Sequence, residues 1–146
     1  MNGVRVFLMI FIAGIATSCV AAVPADTHHA FWAEFRQAVE DDDIQHVAML
    51  TKFPFRTRGV DDAMPVVSYD EQEFTEIFPL ILKTEVPRQL EDGSLTLKQF
   101  ILEKQTLKTE DFSSQDQLWI GDFKFDRTEE GWRLSFVYWS EDQVDP

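Results

Sequence analysis

The chain is short of cysteine, of histidine and of positive charge. Its single cysteine is Cys19, so no disulfide can form within the chain, and residues 26–146 hold neither a thiol nucleophile nor a cysteine-based zinc site. There are three histidines, His28, His29 and His46, and no HExxH spacing among them. GxSxG, GxGxxG and the glycine-lysine phosphate loop are also missing, and with them the short signatures of serine hydrolases, dinucleotide enzymes and P-loop NTPases. Lysine plus arginine number 13 against 26 aspartates plus glutamates, a formal net charge of −13. Releasing counterions from a polyanion needs clustered cations, so this balance argues against nucleic acid or an anionic membrane surface as a partner. It favours solubility and admits a basic protein or a cationic ligand.

Apolar and aromatic side chains are plentiful. The hydrophobic fraction is 45%, with 13 Phe and 4 Trp in 146 residues, enough to build the core of one ordinary domain and too much for global disorder. The N-terminus stands apart from that domain. Arg5 is the only charged residue before Asp26, and residues 6–16 are an unbroken run of apolar residues and glycine. Such a run suits a signal-peptide core and is shorter than the roughly 17 residues a membrane-spanning helix needs. Small residues follow, with Ala22 and Ala25 suited to cleavage. The expectation is a signal peptide over 1–25 and a single domain over 26–146, periplasmic or secreted. Residues 16–19, Ala-Thr-Ser-Cys, resemble the lipobox of bacterial lipoproteins. That resemblance implies acylation at Cys19, the one route by which a membrane would enter the picture.

Phe31, Phe35, Ala38 and Val39 recur at helical spacing with Trp32 beside them, which predicts an amphipathic helix from about residue 30, with Thr27 as its N-cap. Asp41, Asp42 and Asp43 interrupt it. Three carboxylates suit a hard cation, but a calcium loop alternates its ligands and contains glycine. A helix break is favoured, one aspartate capping a second helix over 44–50 that buries Ile44, Val47, Ala48 and Leu50. Pro54 marks residues 52–56 as an edge or extended segment with Phe53 and Phe55 on one side. Ser68 with Glu71 has the form of a capping box and opens a helix striped by Phe74, Ile77, Phe78, Ile81 and Leu82, which Pro79 should kink or end early. Residues 95–107 fit either a strand or a short helix.

Residues 118–139 carry the strongest pattern, two aromatic strands joined by a charged turn over 126–131. Period-2 alternation sets Trp119, Gly121, Phe123 and Phe125 on one face and Leu118, Ile120, Asp122 and Lys124 on the other. In the second strand Trp132, Leu134, Phe136 and Tyr138 alternate with Arg133, Ser135, Val137 and Trp139. Trp132 is expected to face the helices opposite Phe123.

Candidate chemistry is sparse. His28 and His29 read as polar surface near the mature terminus. His46 stands near Asp42 and Asp43, where a carboxylate could tune a general base, though a surface histidine beside acids is favoured. Asp122 and Asp126 read as keeping a strand edge soluble rather than as an acid and base. No metal ligand and no cofactor is assigned.

The order of elements resembles the NTF2-like (cystatin-like α+β) superfamily in its exported bacterial branch. The resemblance rests on residues 31–50 followed by Lys52-Phe53-Pro54-Phe55, residues 68–78, Phe123-x-Phe125, and Gly131-Trp132-Arg133-Leu134. It implies an α+β fold with N-terminal helices packed on a curved antiparallel sheet, a cone with a pocket at its open end. Enzymes of that superfamily place an Asp-His or Tyr-Asp arrangement inside the cone, and no such pair maps here. The preferred reading is a non-catalytic exported domain binding a small apolar or peptide ligand through Phe53, Phe55, Trp119, Phe123, Trp132 and Phe136, their aromatic surplus being the motive. Two alternatives stay open: an acidic inhibitor or immunity-type partner of a basic envelope protein, and an enzyme with a hidden acid-base pair such as His46 with an aspartate.

Overall fold

The computed structural model describes residues 28–87 and 93–143. The expected signal peptide, Cys19 and the Thr27 cap lie outside the described residues. Helix α1 (His28–Glu40) turns Phe31, Trp32, Phe35, Ala38 and Val39 inward, the stripe that the spacing predicts. Asp42 then takes a left-handed φ of 55°, a conformation aspartate tolerates, and the chain reverses. Asp43 caps α2 (Ile44–Met49), its carboxylate accepting the His46 N–H at 3.0 Å, so one of the three aspartates does act as a helix cap.

Strand β1 (Thr51–Arg58) follows, with Phe55 and Thr57 inward and Arg56 exposed between them. A short strand β2 (Val67–Tyr69) stands where the sequence places a helix start. Ser68 pairs with Arg56 across β1–β2, and the capping box lies two residues on. There Asp70 accepts from Glu73 N–H at 2.9 Å and Glu73 accepts from Asp70 N–H at 2.8 Å. Both Ser68 and Asp70 have an acid three residues ahead, and strand pairing decides between them by holding Ser68 extended. Helix α3 (Glu71–Lys83) runs through Pro79 instead of ending there. An interior proline costs about 3 kcal/mol. Burial of Phe78, Ile81 and Leu82 around it offsets that, each worth about 1.5–3 kcal/mol.

Residues 95–107 contain both of the alternatives read from the sequence. Strand β4 (Ser94–Thr96) pairs with β3 (Glu85–Pro87) in a separate ribbon, and Thr96 caps α4 (Leu97–Glu103) in a box with Gln99. The C-terminal third is a meander of β5 (Phe112–Ser114), β6 (Gln117–Ile120), β7 (Phe123–Thr128) and β8 (Gly131–Tyr138). The main sheet has six strands in the order β2-β1-β8-β7-β6-β5. The architecture is α+β, as expected. The sheet is mixed rather than antiparallel, because β1 and β8 run parallel.

The aromatic hairpin has a different phase from the one the alternation implies. The first predicted strand is two strands, since Gly121-Asp122 is a two-residue turn between Ile120 and Phe123, with Gly121 at a φ of 56°. Leu118, Ile120, Phe123 and Phe125 therefore all face the core, while Trp119 and Lys124 face out. In β8 a bulge intervenes, for Lys124 pairs with Phe136 but the next residue, Phe125, pairs with Leu134. Ser135 is the extra residue, its hydroxyl donating to Lys124 O at 3.2 Å. The bulge turns Val137 and Trp139 inward and Phe136 and Tyr138 outward. Trp132 is buried as expected, but its cross-strand partner is Arg127, and Phe123 pairs with Val137.

Two aromatic clusters hold the helices to the sheet. Phe125 receives Phe31, Trp32 and Phe35 edge-on at 5.7, 5.9 and 5.2 Å between ring centres. Phe74 of α3 meets Phe53 and Phe55 of β1 edge-on at 5.6 and 4.9 Å, and stacks on Phe78 at 4.8 Å. Edge-to-face pairs of this kind add about 0.5–1.5 kcal/mol each beyond area burial. Among the described residues no helix is long and apolar enough to cross a membrane.

Candidate functional site

A groove of about 480 Å³ opens where the start of α1, the connection from α4 to β5, and the far end of β7 and β8 meet. Its walls are His28, His29, Leu107, Lys108, Thr109, Phe112, Gln115, Arg127 and Trp132. The α4–β5 connection is anchored at several points. Trp32 Nε1 donates to Lys104 O at 2.8 Å, and Arg36 donates to Ile101 O and Leu102 O at 3.2 and 2.7 Å, satisfying carbonyls that the end of α4 leaves unpaired. Asp111 then gathers the segment by accepting the Lys108 N–H at 2.7 Å and pairing with Lys104 Nζ at 2.8 Å. Lys104 and Asp111 are only 21% and 11% exposed at their side chains, so the pair is shielded better than an ordinary surface bridge.

The floor is aromatic. His28 meets Phe112 edge-on at 4.8 Å, and Phe112 meets Trp132 edge-on at 6.0 Å. The rim carries Lys108 and Arg127, with Glu110 3.7 Å from Lys108 in an exposed pair, and none of the described lining residues is acidic. His28 titrates below the usual histidine value of 6.5, first because burial disfavours its charge and second because His29 lies beside it, ring centres 4.2 Å apart. It is therefore neutral at pH 7. The groove can seat an apolar or aromatic body on its floor and an anionic group at its rim. No neighbouring acid and base are positioned for proton transfer within it.

Of the six aromatic residues singled out in the sequence, only Trp132 lines this groove. Phe55 and Phe123 are wholly buried, and Phe53 is half-buried against Phe74. Trp119 and Phe136 lie together on the opposite face of the sheet, 6.1 Å apart, with Tyr138. The six thus divide between core, groove and outer face. Lys108, Phe112 and Arg127 were missed because they fall in stretches that read as polar connection or turn. The one available signal was Phe112, a lone aromatic between charged and small polar residues.

His46 Nε2 is 2.8 Å from Glu34 Oε1, a carboxylate on α1 rather than Asp42 or Asp43. Their side chains are 35% and 45% exposed on the surface, and neither lines the groove. Among the described residues no group of three His, Cys, Asp or Glu side chains is close enough to hold a metal ion. Asp126 Oδ1 is 3.1 Å from Lys124 Nζ, an ion pair whose angles are too poor for a hydrogen bond. Asp122 sits in the β6–β7 turn, and burial raises its pKa above the ordinary 3.8. A second cavity of about 300 Å³ lies between α2, α3 and α4, lined by Ile44, Pro79 and Leu82 and rimmed by Asp42 and Lys98, whose charged atoms are 2.6 Å apart. No family model matches the chain, and neither the curated proteins nor the solved structures compared with it give a match.

Proposed function

We propose that this chain is an exported, non-catalytic binding domain whose groove takes a small ligand, or the end of a peptide, with an apolar body and an anionic group. The observation that carries this reading is the groove itself, about 480 Å³ with an aromatic floor and a lysine-arginine rim in a chain of net charge −13. Ligand sites commonly occupy about 300–1,000 Å³ and combine apolar walls with a few polar groups. The anchored α4–β5 connection supports it further, since a pre-ordered wall costs less to bind against than a loose one. The membership proposed with it is the NTF2-like superfamily with its cone-shaped sheet. Helices packed on one face of a sheet that ends in a C-terminal meander are compatible with that fold.

Anilinonaphthalene sulfonate, an aromatic anion, is a suitable probe. Its fluorescence should rise on binding, and Lys108→Glu should weaken binding about tenfold, or about 1.4 kcal/mol. Binding should strengthen as pH falls through the pKa of His28, which burial holds below the usual 6.5, because the imidazole gains charge there. Equal binding by wild type and Lys108→Glu, or no pH response, would sink the assignment. Export is proposed on the apolar run over 6–16, and lipidation on Cys19. N-terminal sequencing of the native protein should find a start at or after Cys19. Cys19→Ser should release it from membrane fractions if the cysteine is acylated, and recovery of intact Met1 on the soluble protein would refute export.

A further inference from the structure

The outer face of the sheet carries a charge opposite to that of the chain. In β1 Arg56 and Arg58 flank Thr57 on the face away from Phe55 and Thr57, which are 0% and 1% exposed, and Lys52 is exposed at the start of the strand. Lys124 of β7 and Arg133 of β8 face the same way. Four of the 13 lysines and arginines, Arg56, Arg58, Lys124 and Arg133, thus gather on one face of a chain with 26 acids. Among the described residues Asp126 is the one carboxylate on the strands of that face, 3.1 Å from Lys124. Asp62 and Glu130 reach in from the flanking turns, at 2.7 Å from Arg58 and 3.7 Å from Arg133, and their side chains are 92% and 84% exposed. The acids are solvated while Arg58 and Arg133 are 24% and 20% exposed, so at each guanidinium a partner's carboxylate competes only with a water-exposed acid.

Among these cations lies an aromatic patch. Trp119 and Tyr138 stack at 5.7 Å, Phe136 meets Tyr138 edge-on at 5.0 Å, and Arg58 lies over the Tyr138 ring at 5.4 Å. The four helices of the described residues pack their buried stripes on the other face. The bulge at Ser135 creates this patch, because it is what turns Phe136 and Tyr138 outward. Trp, Tyr and Arg are the residues that most often dominate protein–protein binding energy.

We infer that this face docks an acidic polypeptide, with carboxylates meeting Arg56, Arg58 and Arg133 around apolar side chains laid on Trp119, Phe136 and Tyr138. Charge complementarity selects an anion. Trp119, Phe136 and Tyr138 pack on one another into an apolar surface on which the side chains of a polypeptide can lie. This surface lies on the opposite side of the sheet from the buried residues and is independent of the groove.

The test uses the full chain, with fluorescently labelled poly-L-glutamate as probe and its anisotropy as readout. Binding is expected, weakening as salt rises. Arg56→Glu should weaken it at least tenfold, since Arg56 is exposed and its replacement disturbs no buried contact. Trp119→Ser is the second variant and should also weaken it, with the circular dichroism spectrum unchanged. Lys83→Glu, an equal charge change on exposed α3 surface, should leave binding within about twofold. Three outcomes overturn the proposal: no binding, equal loss with Lys83→Glu, or Arg56-dependent binding of heparin or oligodeoxythymidine with none of poly-L-glutamate.

Discussion

Phe125 and Phe136 are neighbouring phenylalanines of the meander with opposite duties. Phe125 is 0% exposed and receives three rings of α1, whereas Phe136 lies half-buried on the outer face. Truncating a buried phenylalanine typically costs about 3–5 kcal/mol. Phe125→Ala should approach that range, a large part of the roughly 5–15 kcal/mol total of such a domain, while Phe136→Ala should cost about 1 kcal/mol. Urea denaturation of the two variants distinguishes them, and equal midpoints would contradict the outward placement of Phe136. Asp122 offers a pH test. Its folded pKa is raised by burial, so the carboxylate form is disfavoured in the fold, and stability is lost as pH rises from 3.8 through the folded value. Asp122→Asn should therefore raise the melting midpoint at pH 7, and the gain should vanish in acid. A gain that persists below pH 3.8 would point to the turn conformation instead.

Among the elements, α3 and β8 break local rules, and packing outweighs the cost. Pro79 lacks the N–H that an interior helical residue donates, yet α3 continues through it. Pro79→Ala should stabilise the domain by about 2 kcal/mol, the roughly 3 kcal/mol propensity gain less about 1 kcal/mol of added unfolded-state entropy. A fall in the melting midpoint would show that the half-buried proline ring fills space alanine cannot. In β8 the bulge at Ser135 sets every later side chain, so Val137→Asp should prevent folding while Tyr138→Asp should be tolerated. Circular dichroism of the two purified variants decides it, and loss of the folded spectrum in Tyr138→Asp would contradict the outward placement.

At the scale of the whole molecule, the charge of −13 matters more than any one ion pair. The Arg58–Asp62, Lys108–Glu110 and Arg133–Glu130 bridges each use a strongly exposed acid, and self-repulsion of the remaining acids opposes compaction. Raising ionic strength from about 0.01 to 0.15 M shortens the Debye length from about 30 to about 8 Å. The melting midpoint should rise over that interval. A fall would mean that the shielded Lys104–Asp111 and Lys124–Asp126 pairs outweigh the net repulsion.

Periodicity alone determined α1, α2, the α3 stripe and the aromatic character of the C-terminal third, because the residues that bury a helix face recur every three or four positions whatever lies opposite them. That one of the three aspartates caps α2 was legible too, as a local bond within one turn, but which one was decided by the structure, where it is Asp43. Which aromatic residues face the core was decided only by tertiary structure. Strand alternation has period 2, so a two-residue turn at Gly121-Asp122 or one extra residue at Ser135 exchanges the two faces without altering composition. The parallel pairing of β1 with β8 joins strands more than 70 residues apart in sequence, and neither strand encodes its partner. The groove depends on the same long-range assembly: His28, Phe112 and Trp132 are 84 and 20 residues apart in sequence and meet only when α1 is laid across the end of the meander.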